Sequence, residues 1–478
     1  MLSLGEELLQ YQNQEFLSFH TPGHKGKREF FEGLNFPEQD LTELPGLDML
    51  HTPQGVIDKA QKRAAQVFGA DESFFLVNGA TAGNQAMFLS LAGIKGKVLV
   101  GRQSHRSVMA GLVLSGLEPI YIKPIIHPEF HLPLGYDFKI EPQLWGEIQG
   151  LHLTYPSYYG TLSDYKPIVQ GRDVWGPNVP ILVDQAHGSH YLSKLFPPSA
   201  LEWGADLVLN SSHKTLSALT QAAMLHVQGE RISRSRLRQS LELLQSSSPS
   251  YLLMASLERA VEFAQKGKCW ELLFEAVQEL HQCAGKVLRI LNSEDQGQYG
   301  IEQIDWSKIL VNTSSIGLAA PLGVDFLRTH FRIEPELWDQ ENILFLLGIG
   351  NTPEEVRRLT EGLVAMVQWF ESTKRSEGTT LMPCKDTQDF TEGAGLPLPP
   401  LRLTPREAFL APKCQIPLKE SLGKIVGESI SPYPPGVPWI MMGEEMTPEL
   451  LEVLLNFPSN RYQGWDNPEQ GIWVIEEG

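Results

Sequence analysis

Six short apolar runs, each about the length of one strand, constrain the fold of this 478-residue chain more than any other feature. They are SFFLV (73–77), KVLVG (97–101), PIYI (119–122), LHLTYP (151–156), ILVD (181–184) and DLVLN (206–210). Helical stretches such as NQAMFLSLAGI (84–94) and SVMAGLVLSG (107–116) lie between several of them. Strands that are apolar on both faces and separated by helices belong to a mostly parallel sheet covered on both sides. Ahead of them, a helix places Val56, Ile57, Ala60, Ala64, Val67 and Phe68 on one face, with Gly69 to end it. Ligands of such sheets bind outside the carboxyl ends of the strands. Those ends are where this sequence keeps its polar residues.

Four strand ends carry chemistry. LVNGATAGNQAM (76–87) offers small residues and a helix start, which suit a phosphate, with Thr81 adding a hydroxyl. A plain strand–helix turn accounts for that stretch equally well. In GRQSHRSV (101–108), His105 follows a strand, where a lone histidine is more often a hydrogen-bonded structural residue than a catalyst. ILVDQAHGSH (181–190) ends a strand on Asp184, with His187 close behind. A carboxylate buried there needs a cation or several donors. It serves either as a turn cap or as the acceptor for a protonated ring nitrogen. LNSSHKTLSALTQ (209–221) sets Lys214 where a strand leaves the core, beside Ser211, Ser212 and His213. Burial disfavours the charged amine and makes it a usable nucleophile, unless the side chain simply snorkels to solvent. A phosphate-cradling turn, a ring-stacking histidine, a carboxylate for a pyridinium nitrogen and a Schiff-base lysine are together what pyridoxal 5'-phosphate needs.

The formal net charge of −18 argues against a general nucleic-acid binder and suits a small cationic partner. The one dense basic run, Arg231, Arg234, Arg236 and Arg238, has no aromatic residue interleaved and reads as a solvated helix face. Cys269, Cys283, Cys384 and Cys414 lie far apart, which predicts free thiols in a reducing compartment and no metal site. MLSLGEELLQYQ lacks the build of a signal peptide, and no apolar run is long enough to span a bilayer. A cytoplasmic location is expected.

In the matching stretches FHTPGHKGK (19–27), ELPGLDMLHTPQGVIDKAQ (43–61), FFLVNGATAGNQAM (74–87), LVDQAHGSHY (182–191), SSHKTLSALTQAAMLHV (211–227), SSSPSYLLMASLE (246–258) and PYPPGVPW (432–439), the chain resembles the ornithine/lysine/arginine decarboxylases of the fold-type I pyridoxal-phosphate enzymes. These stretches span most of residues 16–445 in the family's order. The resemblance implies an α/β fold: an aminotransferase-like large domain with a mostly parallel sheet, a smaller α+β segment and a C-terminal α+β domain. The expected boundaries are an N-terminal arm at 1–50, the large domain at 51–305, the small domain at 306–371, a linker at 372–400 and the C-terminal domain at 401–478. A short form without the family's receiver-like N-terminal domain is expected.

The same resemblance assigns roles. Lys214 would carry the cofactor, flanked by His213 and by Ser211 near its phosphate. Asp184 would pair with the ring nitrogen, Ala186 and His187 would lie against the ring, and His105 would stack on its other face. Thr81, with the backbone of Ala80 and Ala82, would hold the phosphate. Lys214, His213, His105 and Asp184 would be the catalytic set. His24, Glu444 and Glu445 are candidates for the substrate. Four features depart from the family's pattern: Ala80 where a hydroxyl is common, Gln185 for an acidic residue, Glu258 for an aspartate, and PWIMMGEE (438–445) without the proline usual before Gly443–Glu444. The implied reaction is decarboxylation of arginine, lysine or ornithine by a homodimer or higher homo-oligomer. Another reaction of the same fold type, or a catalytically weak regulatory relative, is the alternative. The arm FLSFHTPGHKGKREFF (16–31) has no core of its own, so a neighbouring subunit is the expected packing surface, with folding back onto its own domain as the competing arrangement.

Overall fold

Seven strands make the central sheet: β1 (Glu72–Leu76), β2 (Lys97–Gly101), β3 (Glu118–Ile122), β4 (Ile148–Thr154), β5 (Ile181–Asp184), β6 (Leu207–Asn210) and β7 (Ala223–Val227). The computed structural model describes residues 11–36, 38–92, 96–136, 138, 147–265, 268–377, 396–432, 438–456, 462–465 and 471–476. The strand order is β1-β7-β6-β5-β4-β2-β3. β7 runs antiparallel to both of its neighbours, and every other pair is parallel. All six apolar runs became strands. The strand that was not anticipated is β7, whose register is interrupted in polarity by His226. That histidine is fully buried, bonded to Ser73 Oγ at 2.7 Å and stacked on Phe68.

The alternation of side chains along each strand divides the core between the two faces of the sheet. Leu182, Leu207 and Leu209 join one apolar cluster with Met87, Phe88 and Leu112. Val183 and Val208, one residue out of phase, join the other with Phe68, Phe75 and Leu257. Helix α1 (Val56–Phe68) buries Ile57, Ala60, Ala64 and Phe68, and ends on Gly69 at φ 73°. Val56, expected on that buried face, is exposed. Helix α2 (Gly79–Leu91) starts five residues before the expected stretch, and α3 (Arg106–Ser115) starts one residue before. Both starts bring small or capping residues to the strand ends.

A second sheet follows, with β8 (Arg289–Ile290), β9 (Lys308–Asn312), β10 (Leu337–Trp338) and β11 (Asn342–Leu346) in the order β8-β9-β11-β10. It begins before residue 306, and its covering helix α4 (Pro353–Glu377) runs into the segment expected to be linker. Residues 378–395 lie outside the described residues. The C-terminal unit has a core of its own, with Val426, Ile430, Trp439, Ile440, Met446 and Leu450. Of its turn-rich stretch 431–439, residues 433–437 lie outside the described residues.

Arg102, one residue beyond β2, joins this unit to the main sheet. Its guanidinium holds Glu444 in a bidentate pair, Nη1–Oε1 2.6 Å and Nη2–Oε2 2.8 Å, and also donates to the carbonyls of Pro438 and Trp439. It lies over the ring of Tyr121 at 4.8 Å. Both charged side chains are almost completely buried, so removing one leaves the other without its counter-charge. Glu444→Ala should therefore lower stability by about 3–5 kcal/mol. Arg402→Ala, which breaks an exposed pair with Glu445, should cost about 1 kcal/mol or less. Urea unfolding of the two variants checks the contrast, and equal midpoints would contradict it.

The arm settles onto its own chain. Leu17–Phe19 pairs in parallel with Ile333–Pro335. Gly23 N–H donates to the His213 carbonyl at 2.7 Å, and Gly350 N–H donates to the Gly23 carbonyl at 3.0 Å. A Cβ at Gly23 would sit 2.4 Å from the Leu216 carbonyl oxygen, so only glycine fits this crossing. Packing surface for the arm is supplied within the chain. The apolar contacts of Phe19, fully buried against Phe345, and of Phe30 against Phe263 explain why.

Candidate active site

The carboxyl ends of β2, β5 and β6 and the N-terminus of α2, which follows β1, lie at one edge of the central sheet. Lys214 stands in the four-residue helix Ser212–Thr215 that follows β6. Its Nζ lies 2.9 Å from His187 Nε2. Burial lowers the pKa of this amine, with Asp184 and Glu336 opposing the shift. Burial also drives His187 well below its ordinary value, helped by the positive field of Lys214 and Lys308. The pair thus joins an amine biased toward its neutral form to a neutral imidazole. His213, beside it, is pushed down to about 4 by burial and by Lys214.

Asp184 ends β5 nearly fully buried. Its Oδ1 accepts from Ala186 N–H at 3.0 Å and its Oδ2 from Asn84 Nδ2 at 2.8 Å. Among the described residues no cation forms an ion pair with it, although a buried carboxylate ordinarily has one. His105 caps α3, accepting from Ser107 N–H, and is exposed. Gly79, at φ 77°, opens α2, with Ala80, Thr81 and the buried Ala82 in its first turn. Ser211 is buried, and among the described residues Ser212 Oγ, Thr215 Oγ1 and His213 Nδ1 are buried without hydrogen-bond partners. A buried carboxylate with no ion-pair partner among the described residues, an exposed imidazole and unpaired hydroxyls fit a ring with a protonated nitrogen and a phosphate tail.

The three residues considered for the substrate part company. Glu444 does not line the site: its carboxylate is spent on Arg102 inside the domain junction. Glu445 pairs with Arg402. His24 lies beside the site, its Nδ1 accepting from Gly26 N–H and its pKa pushed down to about 4 by burial and Lys25. Gln185, the departure from an acidic residue, donates from Nε2 to the Gly188 carbonyl and Asn210 Oδ1, and accepts from Ala200 N–H. A carboxylate there could not make the first two bonds. Glu258 is on the surface with Arg63.

Several site residues were not singled out in the sequence. Glu336 accepts from Thr21 N–H and from Tyr158 OH, both at 2.7 Å, and its field reaches Lys214. Tyr158 sets its ring edge against His187. Lys308 is fully buried, 3.4 Å from the His187 carbonyl and 4.0 Å from Asp305, and its amine is pushed down to about 8. None follows a recognisable motif. Only the fold of the second sheet brings Lys308 and Glu336 to this place.

The family profile described as Orn/Lys/Arg decarboxylase, major domain, matches residues 3–308, and that of the C-terminal domain matches residues 395–476. The chain belongs to the Orn/Lys/Arg decarboxylase family. The decarboxylase is 33% identical to the arginine decarboxylase of Bacillus subtilis over 465 residues, 94% of this chain and 91% of that one. It is 23% identical to the lysine decarboxylase LdcA of Pseudomonas aeruginosa, covering 97% of this chain and 77% of that protein. The crystal structure of the Francisella novicida lysine decarboxylase superposes with a TM-score of 0.74 at 21% identity, over 98% of this chain and 80% of that one. The protein is a pyridoxal-phosphate-dependent decarboxylase with the fold-type I architecture. Among the described residues no helix is long and apolar enough to cross a membrane, and no cluster of His, Cys, Asp and Glu suits a metal ion.

Proposed function

We propose that the decarboxylase removes the α-carboxylate of a basic L-amino acid, arginine in the first place, giving agmatine and CO2. The observation that carries this reading is Glu336, a carboxylate within the field of Lys214, Lys25 and Lys308 whose hydrogen bonds among the described residues come from the neutral Thr21 N–H and Tyr158 OH. A cationic side chain entering the site would find there a negative charge already oriented by two donors. The higher identity to an arginine decarboxylase than to a lysine decarboxylase supports arginine over lysine. Assembly as a homodimer in the cytoplasm, making precursors of polyamines, belongs to the same reading and rests on the family resemblance.

Bound pyridoxal phosphate supplies the sink for the electron pair that the departing carboxylate leaves behind. Asp184 would contribute a fixed negative charge toward a protonated ring nitrogen. His105 would cover one ring face. Thr81, Ser211 and the α2 N-terminus would hold the phosphate. Lys214 Nζ, whose charged form burial disfavours, lies within hydrogen-bond reach of His187 Nε2 and would exchange a proton with it. Tyr158 and Glu336 orient the side chain.

The test is CO2 release from carboxyl-labelled arginine, lysine and ornithine, with Glu336→Gln in parallel. Arginine should give the highest kcat/KM. Loss of the carboxylate should lower it by about 10–100-fold, the worth of one charge-assisted contact. Exchange of amino groups without CO2, or equal release from neutral amino acids, would replace this reading with another reaction of the fold type.

A further inference from the structure

His105 and four buried side chains from four elements form an unbroken hydrogen-bonded chain. It runs from His105 Nδ1 to Ser107 Oγ at 2.8 Å, from Ser107 Oγ to Asn84 Nδ2 at 2.9 Å, and from the same nitrogen to Asp184 Oδ2 at 2.8 Å. Asn84 Oδ1 meets His152 Nε2 at 3.2 Å. Asn84 belongs to α2, Ser107 to α3, His152 to β4 and Asp184 to β5. We infer that Asn84 and Ser107 are positioning residues that lock the ring-face histidine and the ring-nitrogen aspartate into one unit with a single arrangement of protons.

One backbone group decides that arrangement. Ser107 N–H can only donate, and it does so to His105 Nδ1 at 3.2 Å. That nitrogen is therefore bare, and the neutral ring carries its proton on Nε2. Ser107 Oγ then donates to the same nitrogen and accepts from Asn84. The second hydrogen of the Asn84 amide goes to Asp184. Its carbonyl is left facing His152, which must donate from Nε2. Burial pushes this ring down to about 4. Turning the Asn84 amide over would set its oxygen against a carboxylate.

The consequence reaches both ends. Asp184 receives one side-chain donor and one backbone donor, which fix the plane of the carboxylate and leave lone pairs for the ring nitrogen. A proton on His105 Nδ1 would break the bond from Ser107 N–H and force the Ser107 hydroxyl to turn round, which favours the uncharged ring beside a cationic one. The charged groups around it are Asp184, Lys214 and Arg106. This inference rests on the assignment of Asp184 to the ring nitrogen and His105 to the ring face.

The holoenzymes of Asn84→Leu, Ser107→Ala and Ser107→Thr are compared with Asp184→Asn for cofactor Kd and for the pH profile of the visible absorbance. Melting of the cofactor-free proteins reports on packing alone. Asn84→Leu should raise the cofactor Kd about tenfold and move the midpoint of the pH profile. Ser107→Ala should move that midpoint in the same direction, and Ser107→Thr, which keeps the hydroxyl, should restore it. If Asn84→Leu changes melting while Kd and the pH profile stay put, the chain only packs the core and the inference is wrong. Should Asn84→Leu fail to fold, Ser107→Ala decides, and an unmoved midpoint overturns the relay. If Asp184→Asn itself leaves both readouts unchanged, the ring-nitrogen assignment has failed and the relay with it.

Discussion

Lys214→Ala will stop decarboxylation and leave no residue to which borohydride can fix the cofactor. The expected fall in kcat is on the order of 10^4-fold or more, as when a covalent group is removed from a concerted site. The expectation is specific because a rival amine is close. Lys308 is also fully buried and also holds a lowered pKa. It differs in its surroundings: Asp305 lies 4.0 Å away and supports its charge, whereas Lys214 has His187 at 2.9 Å and no carboxylate in ion-pair range among the described residues. A supported ammonium is a poor nucleophile. Peptide mapping after reduction should find the label on Lys214 in the parent protein and nowhere in the variant. A label on Lys308 in the parent would move the centre of the site to the second sheet.

Asp184→Asn should bind pyridoxal phosphate and yet lose about a hundredfold or more of its turnover, the scale of removing one preorganised electrostatic contact. The amide is nearly isosteric with the carboxylate, so its place at the end of β5 survives. The negative charge does not. With the variant's oxygen turned toward Asn84 Nδ2, its NH2 group faces Ala186 N–H and that bond is lost. The loss should appear in kcat with a small change in KM, since the charge acts on the reacting electrons and not on the substrate side chain. Wild-type turnover in this variant would reduce Asp184 to a cap on β5.

The sheet was legible because strands of a covered parallel sheet have no polar face, and five of the six runs are interrupted only at their ends, LHLTYP alone carrying His152 and Thr154 inside it. β7 escaped notice because its apolar run is broken by His226, a polar residue whose partner, Ser73, is distant in sequence. The cofactor-side residues were legible because each follows its own strand. Lys214, Asp184 and His105 come within one another's fields at one edge of the sheet. Glu444 misled because a paired acidic residue in a tail looks the same in sequence whether it faces a substrate or an arginine. Only the structure reveals Arg102. Asn84, Ser107, Glu336 and Lys308 carry no signal in a single sequence. Their neighbours are brought by α2–α3 packing and by the second sheet, so the contacts exist only in three dimensions.

The crossing at Gly23 has a consequence for the order in which the molecule is completed. The strand from the first twenty described residues is held on one side by the carbonyl of His213 and on the other by Gly350 N–H. A chain emerging from the ribosome has made the whole central sheet before residue 350 exists. The clasp around the arm therefore closes late, over a loop of more than three hundred residues, and its closure entropy is met only when the second sheet is in place. In refolding, helical circular dichroism should recover first, and the ability to bind pyridoxal phosphate should lag behind it. Competence is thus a property of the finished chain: the lysine waits in a half-built wall until the two ends of the polypeptide have found each other.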